Sequence, residues 1–90
     1  MKQINLSGQY KKDFNRYKHN LSKVQILLNI VRMLEHEIEI PSEYKPHKLT
    51  GNYKDCMECH IENDFLLIWI DPDSDTIELL RLGSHSELFK

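Results

Sequence analysis

The chain has 90 residues, 40% of them apolar and 29% charged, with a formal net charge of −2. That composition supports one small core over residues 1–90 and argues against a disordered tract. It has no apolar run near the ~18 residues of a membrane helix and no leader-like stretch at Met1–Asn5, so a cytoplasmic protein is expected.

Lys2 to Leu6 alternates apolar and polar residues as a short strand does. Ser7 is suited to cap a helix in which Tyr10, Phe14 and Tyr17 recur at helical spacing, with Lys11, Lys12, Arg16 and Lys18 mostly off that stripe. Asn20 interrupts the pattern. Ser22 is a candidate cap for a second helix, in which Val24, Leu27, Leu28, Val31 and Leu34 form an apolar stripe. This helix is expected to fade through Glu37 or Glu39 and stop before Pro41, because the residue before proline avoids the helical region. His19 and His36 fall at helix ends, where a cation suits the dipole, and are given no chemical role.

Pro41 to Asp55 reads as a loop. Cys56, Glu58 and His60 then alternate with Met57, Cys59 and Ile61, as on the two faces of a strand. Asn63-Asp64 is a turn signal, and Phe65 to Ile70 is apolar throughout, as befits a central strand covered on both faces. Asp71 to Asp75 reads as a turn, Thr76 to Gly83 as a strand and Ser84 to Phe89 as a short closing segment. The expected fold class is α+β: an N-terminal strand, a two-helix hairpin, then a three-stranded antiparallel meander. The helices pack on one face of the sheet and the other face is left partly open.

Charge is unevenly spread, +6 over residues 1–34 and −8 over residues 35–90. The basic third suits an anionic partner, although lysine-rich helix surfaces are also ordinary solvated faces. Cys56-Met57-Glu58-Cys59-His60 fits the spacing for haem attachment or for a redox dithiol. Strand alternation opposes both, and a zinc site as well, because it turns the two cysteines to opposite faces. Neither haem nor metal is expected, and Cys59 reads as a small core residue.

A more coherent set is His47, Glu58, His60, Asp64, Arg81 and His85. Imidazole both takes and gives protons near neutrality, and arginine presents a fixed cation suited to phosphate. Together they suggest metal-free acid–base chemistry on a phosphodiester; scattered surface polar residues near a sheet edge would look the same in sequence.

Ser7-Gly8-Gln9-Tyr10 with Lys12-Asp13, Tyr44-Lys45-Pro46-His47-Lys48-Leu49-Thr50-Gly51, Tyr53-Lys54, His60-Ile61, Asp64 and the ending Arg81-Leu82-Gly83-Ser84-His85-Ser86-Glu87-Leu88-Phe89 form a specific combination. With these residues the chain resembles the RelE superfamily of toxins, in its YafQ branch, over nearly its whole length. The resemblance implies a RelE-like microbial ribonuclease fold and a ribosome-dependent endoribonuclease that cuts messenger RNA without a cofactor. It also implies a cognate antitoxin. His47, His60, Asp64, Arg81, His85 and Phe89 match positions the family uses, and Glu58 stands where the best-known relative has Asp. Met57 and Tyr53 depart from residues frequent in the family, which bears on strength and codon preference.

On this reading His85 is the general acid and Arg81 holds the non-bridging oxygens. His47 or His60 is the base, with Asp64 and Glu58 orienting imidazoles. Phe89 would stack on a base, and Lys11, Lys12, Arg16 and Lys18 would meet ribosomal RNA backbone. The alternative is a catalytically weak or inactive module of the same fold that mainly binds its antitoxin.

Overall fold

The computed structural model describes residues 1–72 and 75–89. The turn expected at Asp71–Asp75 therefore falls partly, at Asp73 and Ser74, outside the described residues.

Strand β1 (Gln3–Leu6) leads into α1 (Gly8–Tyr17) and α2 (Leu21–Glu35), then β2 (His47–Lys48), β3 (Met57–Glu62), β4 (Phe65–Ile70), β5 (Thr76–Gly83) and α3 (His85–Leu88). The expected meander is present as β3, β4 and β5, but it is the middle of a five-stranded sheet ordered β1-β5-β4-β3-β2. β1 pairs parallel to β5, and β2 pairs antiparallel to β3. β2 lies inside the segment that reads as loop, which also holds two 3-10 turns, Ser42–Tyr44 and Gly51–Tyr53. A two-residue strand carries no alternation to detect, and only its partner β3 makes it a strand.

Helix ends are set by local hydrogen bonds. Ser7 caps α1 by accepting from the Tyr10 N–H at 3.0 Å. The cap of α2 is Asn20, accepting from the Lys23 N–H at 3.3 Å, rather than Ser22, whose hydroxyl donates to Asn20 at 3.0 Å. The helix stops at Glu35, earlier than expected. Glu37 turns into the left-handed region with φ 59°, letting Ile38 N–H reach the Met33 carbonyl at 2.8 Å and Glu37 N–H the Leu34 carbonyl at 3.2 Å. These are the paired bonds of a Schellman ending, and they satisfy carbonyls the helix leaves open.

The helices cover one face of the sheet. Leu27, Ile30 and Leu34 pack there with Tyr10, Cys59, Phe65, Leu67, Trp69, Ile77, Leu79 and Leu82. Ile30 is fully buried whereas Leu28 is 51% exposed, so the buried stripe is rotated from the one the spacing suggests. The opposite face is not left open at its centre. Cys56, Leu66, Ile68 and Leu88 are buried there, flanked by Leu49, Tyr53, Ile70 and Leu80 from the loop and strands. β4 is thus covered on both sides, as its unbroken apolar run predicts.

Candidate active site

Two cross-strand rows build the site. His47 lies opposite Glu58, Glu58 opposite Ile68 and Ile68 opposite Arg81. In the next row His60 lies opposite Leu66, and Leu66 opposite Gly83. Directly paired residues share a face, so these side chains emerge on the side of the sheet away from α1 and α2.

Arg81 reaches that face through an irregularity. Ile77 and Leu79 point into the helix-covered core, and strict alternation would send Arg81 after them. The register between β4 and β5 instead shifts, from Ile68 opposite Arg81 to Trp69 opposite Leu79, leaving Leu80 as the extra residue. A bulge of this kind re-aims a side chain, and here it brings the guanidinium to the histidine side.

The rings form a continuous file. Centroids are 6.1 Å apart for His47 and His60, 5.9 Å for His60 and His85, and 5.7 Å for His85 and Phe89. Tyr53 meets Phe89 edge-on at 5.6 Å. Glu58, only 2% exposed, lies under the first pair, with Oε1 3.1 Å from His47 Nε2 and 3.9 Å from His60 Nε2. Its Oε2 has no partner among the described residues.

Hydrogen-bond partners assign the ring protons. His47 Nδ1 is 2.7 Å from the Lys45 carbonyl, which only accepts, so Nδ1 donates. Nε2 then faces the Glu58 carboxylate oxygen at 3.1 Å. Both His47 nitrogens are therefore occupied. His60 lies beyond hydrogen-bond reach of Glu58. Asp64 accepts from the His85 N–H at 2.9 Å and lies 3.3 Å from His85 Nδ1, which leaves Nε2 facing outward. The backbone N–H bond, with the ring bond beside it, holds the Asp64 carboxyl below its usual range.

Arg81 occupies the far end of the file. Its Nη1 donates to the Tyr53 hydroxyl at 3.3 Å, and its Nε donates to Asp13 Oδ2 at 2.8 Å. The short helix behind His85 is fastened by Glu87, which accepts from the Ser84 N–H at 2.8 Å while Ser84 Oγ accepts from the Glu87 N–H at 3.3 Å. Glu87 also takes the Tyr17 hydroxyl and Arg16 Nη1, the latter at 2.9 Å. These donors hold its carboxyl down to about 2.

The site residues expected from the sequence thus fall on one face, with His47, Glu58, His60, Asp64, His85 and Phe89 contiguous and Arg81 joined through Tyr53. Of the basic residues proposed for RNA, Lys11, Lys12 and Lys18 are exposed on or beside α1, while Arg16 is paired with Glu87. Sequence reasoning missed Asp13, Tyr53 and Glu87 as supports. Asp13 left a signal: it is the one acid among the first 34 residues, and it sits on the aromatic stripe at i+3 from Tyr10. Cys56 and Cys59 are buried on opposite faces as free thiols, and burial raises both, Cys59 to about 12. Neither is poised as a nucleophile.

Residues 2–90 match the family described as the bacterial toxin of type II toxin-antitoxin system, YafQ. The chain belongs to the YafQ toxin family. Among curated YafQ relatives, the mRNA interferase toxin YafQ of Escherichia coli K12 is 32% identical, the match covering 96% of this chain and 94% of that protein. The YafQ subunit of the E. coli DinJ-YafQ toxin-antitoxin complex superposes with TM-score 0.87 at 30% identity, over 99% of this chain and 98% of that one. A metal-bound toxin from Helicobacter pylori gives TM-score 0.88 at 38% identity, over 99% and 100%. Among the described residues of this YafQ-family chain no group of three or more His, Cys, Asp or Glu side chains is placed to hold a metal ion. No helix among them is long and apolar enough to cross a membrane.

Proposed function

We propose that this YafQ-family toxin is an endoribonuclease that cleaves messenger RNA on the ribosome by metal-independent acid–base catalysis, and that an antitoxin holds it inactive in the cytoplasm. The observation that carries the reading is the file of rings running from His47 to Phe89, backed by two carboxylates and linked through Tyr53 to the Arg81 guanidinium.

RNA brings its own nucleophile, the 2′-hydroxyl. Cleavage requires that this hydroxyl lose a proton, that charge on the phosphorane be balanced and that the departing 5′-oxygen gain a proton. His60 is the base: it stands between His47 and His85, and its ring lacks the two partners that occupy His47. His85 is the acid, since Asp64 holds its Nδ1 side and Nε2 is left for the leaving oxygen. The two rings are neighbours in the file, 5.9 Å apart between centroids, so both can address one phosphodiester. Arg81 takes the non-bridging oxygens and Phe89 stacks on a neighbouring base. The P–O5′ bond breaks as the P–O2′ bond forms, giving a 2′,3′-cyclic phosphate and a 5′-hydroxyl. Lys11, Lys12 and Lys18 supply sequence-independent contacts to ribosomal RNA.

The test is to incubate the purified toxin with a defined transcript, alone and on programmed ribosomes, and map both new ends. Cuts within ribosome-held codons, with cyclic-phosphate 3′ ends, are expected. Absence of cleavage in both settings would sink the nuclease reading, and equal cleavage of free RNA would sink ribosome dependence.

A further inference from the structure

Asp13 is 1% exposed, on a helix whose remaining buried face is aromatic. An ionised carboxylate is tolerated in such a place only when its oxygens are fully engaged. Oδ2 accepts from Arg81 Nε at 2.8 Å and from the Leu82 N–H at 3.0 Å; Oδ1 accepts from Arg81 Nη2 at 3.4 Å and from Gln9 Nε2 at 3.2 Å. The bond to Leu82 ties α1 to β5, and for that alone any small acceptor would serve. The two bonds to Arg81 do something different: they grip the Nε–Nη2 side of the guanidinium, while Tyr53 fixes Nη1. Of five N–H donors three are committed, leaving one on each terminal nitrogen. These two donors are what the guanidinium has left to offer phosphate oxygens.

We propose that Asp13 is a positioning residue for RNA cleavage, fixing the Arg81 guanidinium so that its free donors meet the phosphate. The inference rests on the reading of Arg81 as the phosphate-holding group. Because the bulge at Leu80 already brings the arginine to the correct face, Asp13 governs its rotation rather than its location. A cation so paired carries little net charge of its own, and its contribution is directional. Misorientation therefore weakens the transition state more than it weakens RNA binding.

Cleavage rates by Asp13→Asn, Arg81→Ala and the double variant test this on the same RNA substrate. Asp13→Asn keeps the side chain's shape and one acceptor, and is expected to lower kcat about 10- to 100-fold with KM nearly unchanged. On the Arg81→Ala background it should add almost nothing, since both changes disable one unit. A folded Asp13→Asn toxin at wild-type kcat, or full additivity in the double variant, overturns the inference. Wild-type kcat in Arg81→Ala overturns instead the phosphate reading beneath it. Should Asp13→Asn fail to fold, the Arg81 Nε–H resonance of the unaltered toxin decides. A slowly exchanging signal supports the grip, and one averaged with water overturns it.

Discussion

At the scale of single residues, the division of labour proposed for three histidines follows from what each ring already holds. His47 has a carbonyl on one nitrogen and a carboxylate on the other, so it is a structural partner of Glu58. His60 and His85 retain an uncommitted nitrogen each. His60→Gln is therefore expected to slow cleavage about 100- to 10,000-fold and to abolish the rise of rate with pH, because a base must first be deprotonated. His85→Gln should cost as much and remove the fall at higher pH, where an acid loses its proton. pH–rate profiles of both variants check this, and a profile unaltered in shape would refute the assignment. Gly83 shows a different residue-level constraint. Its φ of 153° lies where L side chains rarely go, and an added Cβ would sit 2.7 Å from Glu87 Oε1. Gly83→Ala should destabilise the fold by about 1–3 kcal/mol, read by urea unfolding.

At the scale of elements, α3 is a four-residue helix that cannot be stable by itself, yet it carries His85. Its capping box, its bonds to Tyr17 and Arg16 and the Asp64 contact hold it, and Glu87 takes part in all but the last. Glu87 is held down to about 2 against an ordinary 4.5, chiefly by the Ser84 N–H. A carboxylate lowered by folding adds stability that is complete above about pH 4.5 and is withdrawn as pH falls toward about 2. Because the side chain is 28% exposed, the contribution is discounted to roughly 1 kcal/mol. Glu87→Gln should therefore be less stable than the parent at pH 7 and nearly equal to it near pH 2. Urea midpoints across that range would show it, and a constant difference at every pH would contradict it. The capping residues, Ser84 and Glu87 three apart, were in plain sight in the sequence. Their link to α1 was not, since 70 residues separate Tyr17 from Glu87.

At the scale of the whole molecule, the exposed lysines of α1 are a group apart from the proposed acid–base residues, although α1 also reaches the site through Asp13. If Lys11 and Lys12 meet RNA backbone, Lys11→Glu with Lys12→Glu should weaken ribosome binding and flatten its dependence on salt. The slope of log K against log salt should fall by about one for each phosphate no longer neutralised. Catalysis at saturating ribosomes should change far less. Equal binding at low and high salt for parent and variant would exclude that face.

What the amino-acid order determined by itself was periodic or local: the helices, the doubly covered β4, the opposed cysteines and the histidine face of β3. Such features repeat within a few residues and are written in spacing. Residue chemistry singled out His47, Arg81 and His85 and the family resemblance matched them, but neither could say how they meet. That was decided by pairing. β2 exists only because β3 lies beside it, bringing His47 to Glu58. The slip opposite Ile68 turns Arg81 to the histidine face, and Asp13 grips it from 68 residues away. Register and long-range partnership are settled by which surfaces can be buried together, a property of the assembled sheet that no short stretch of chain contains.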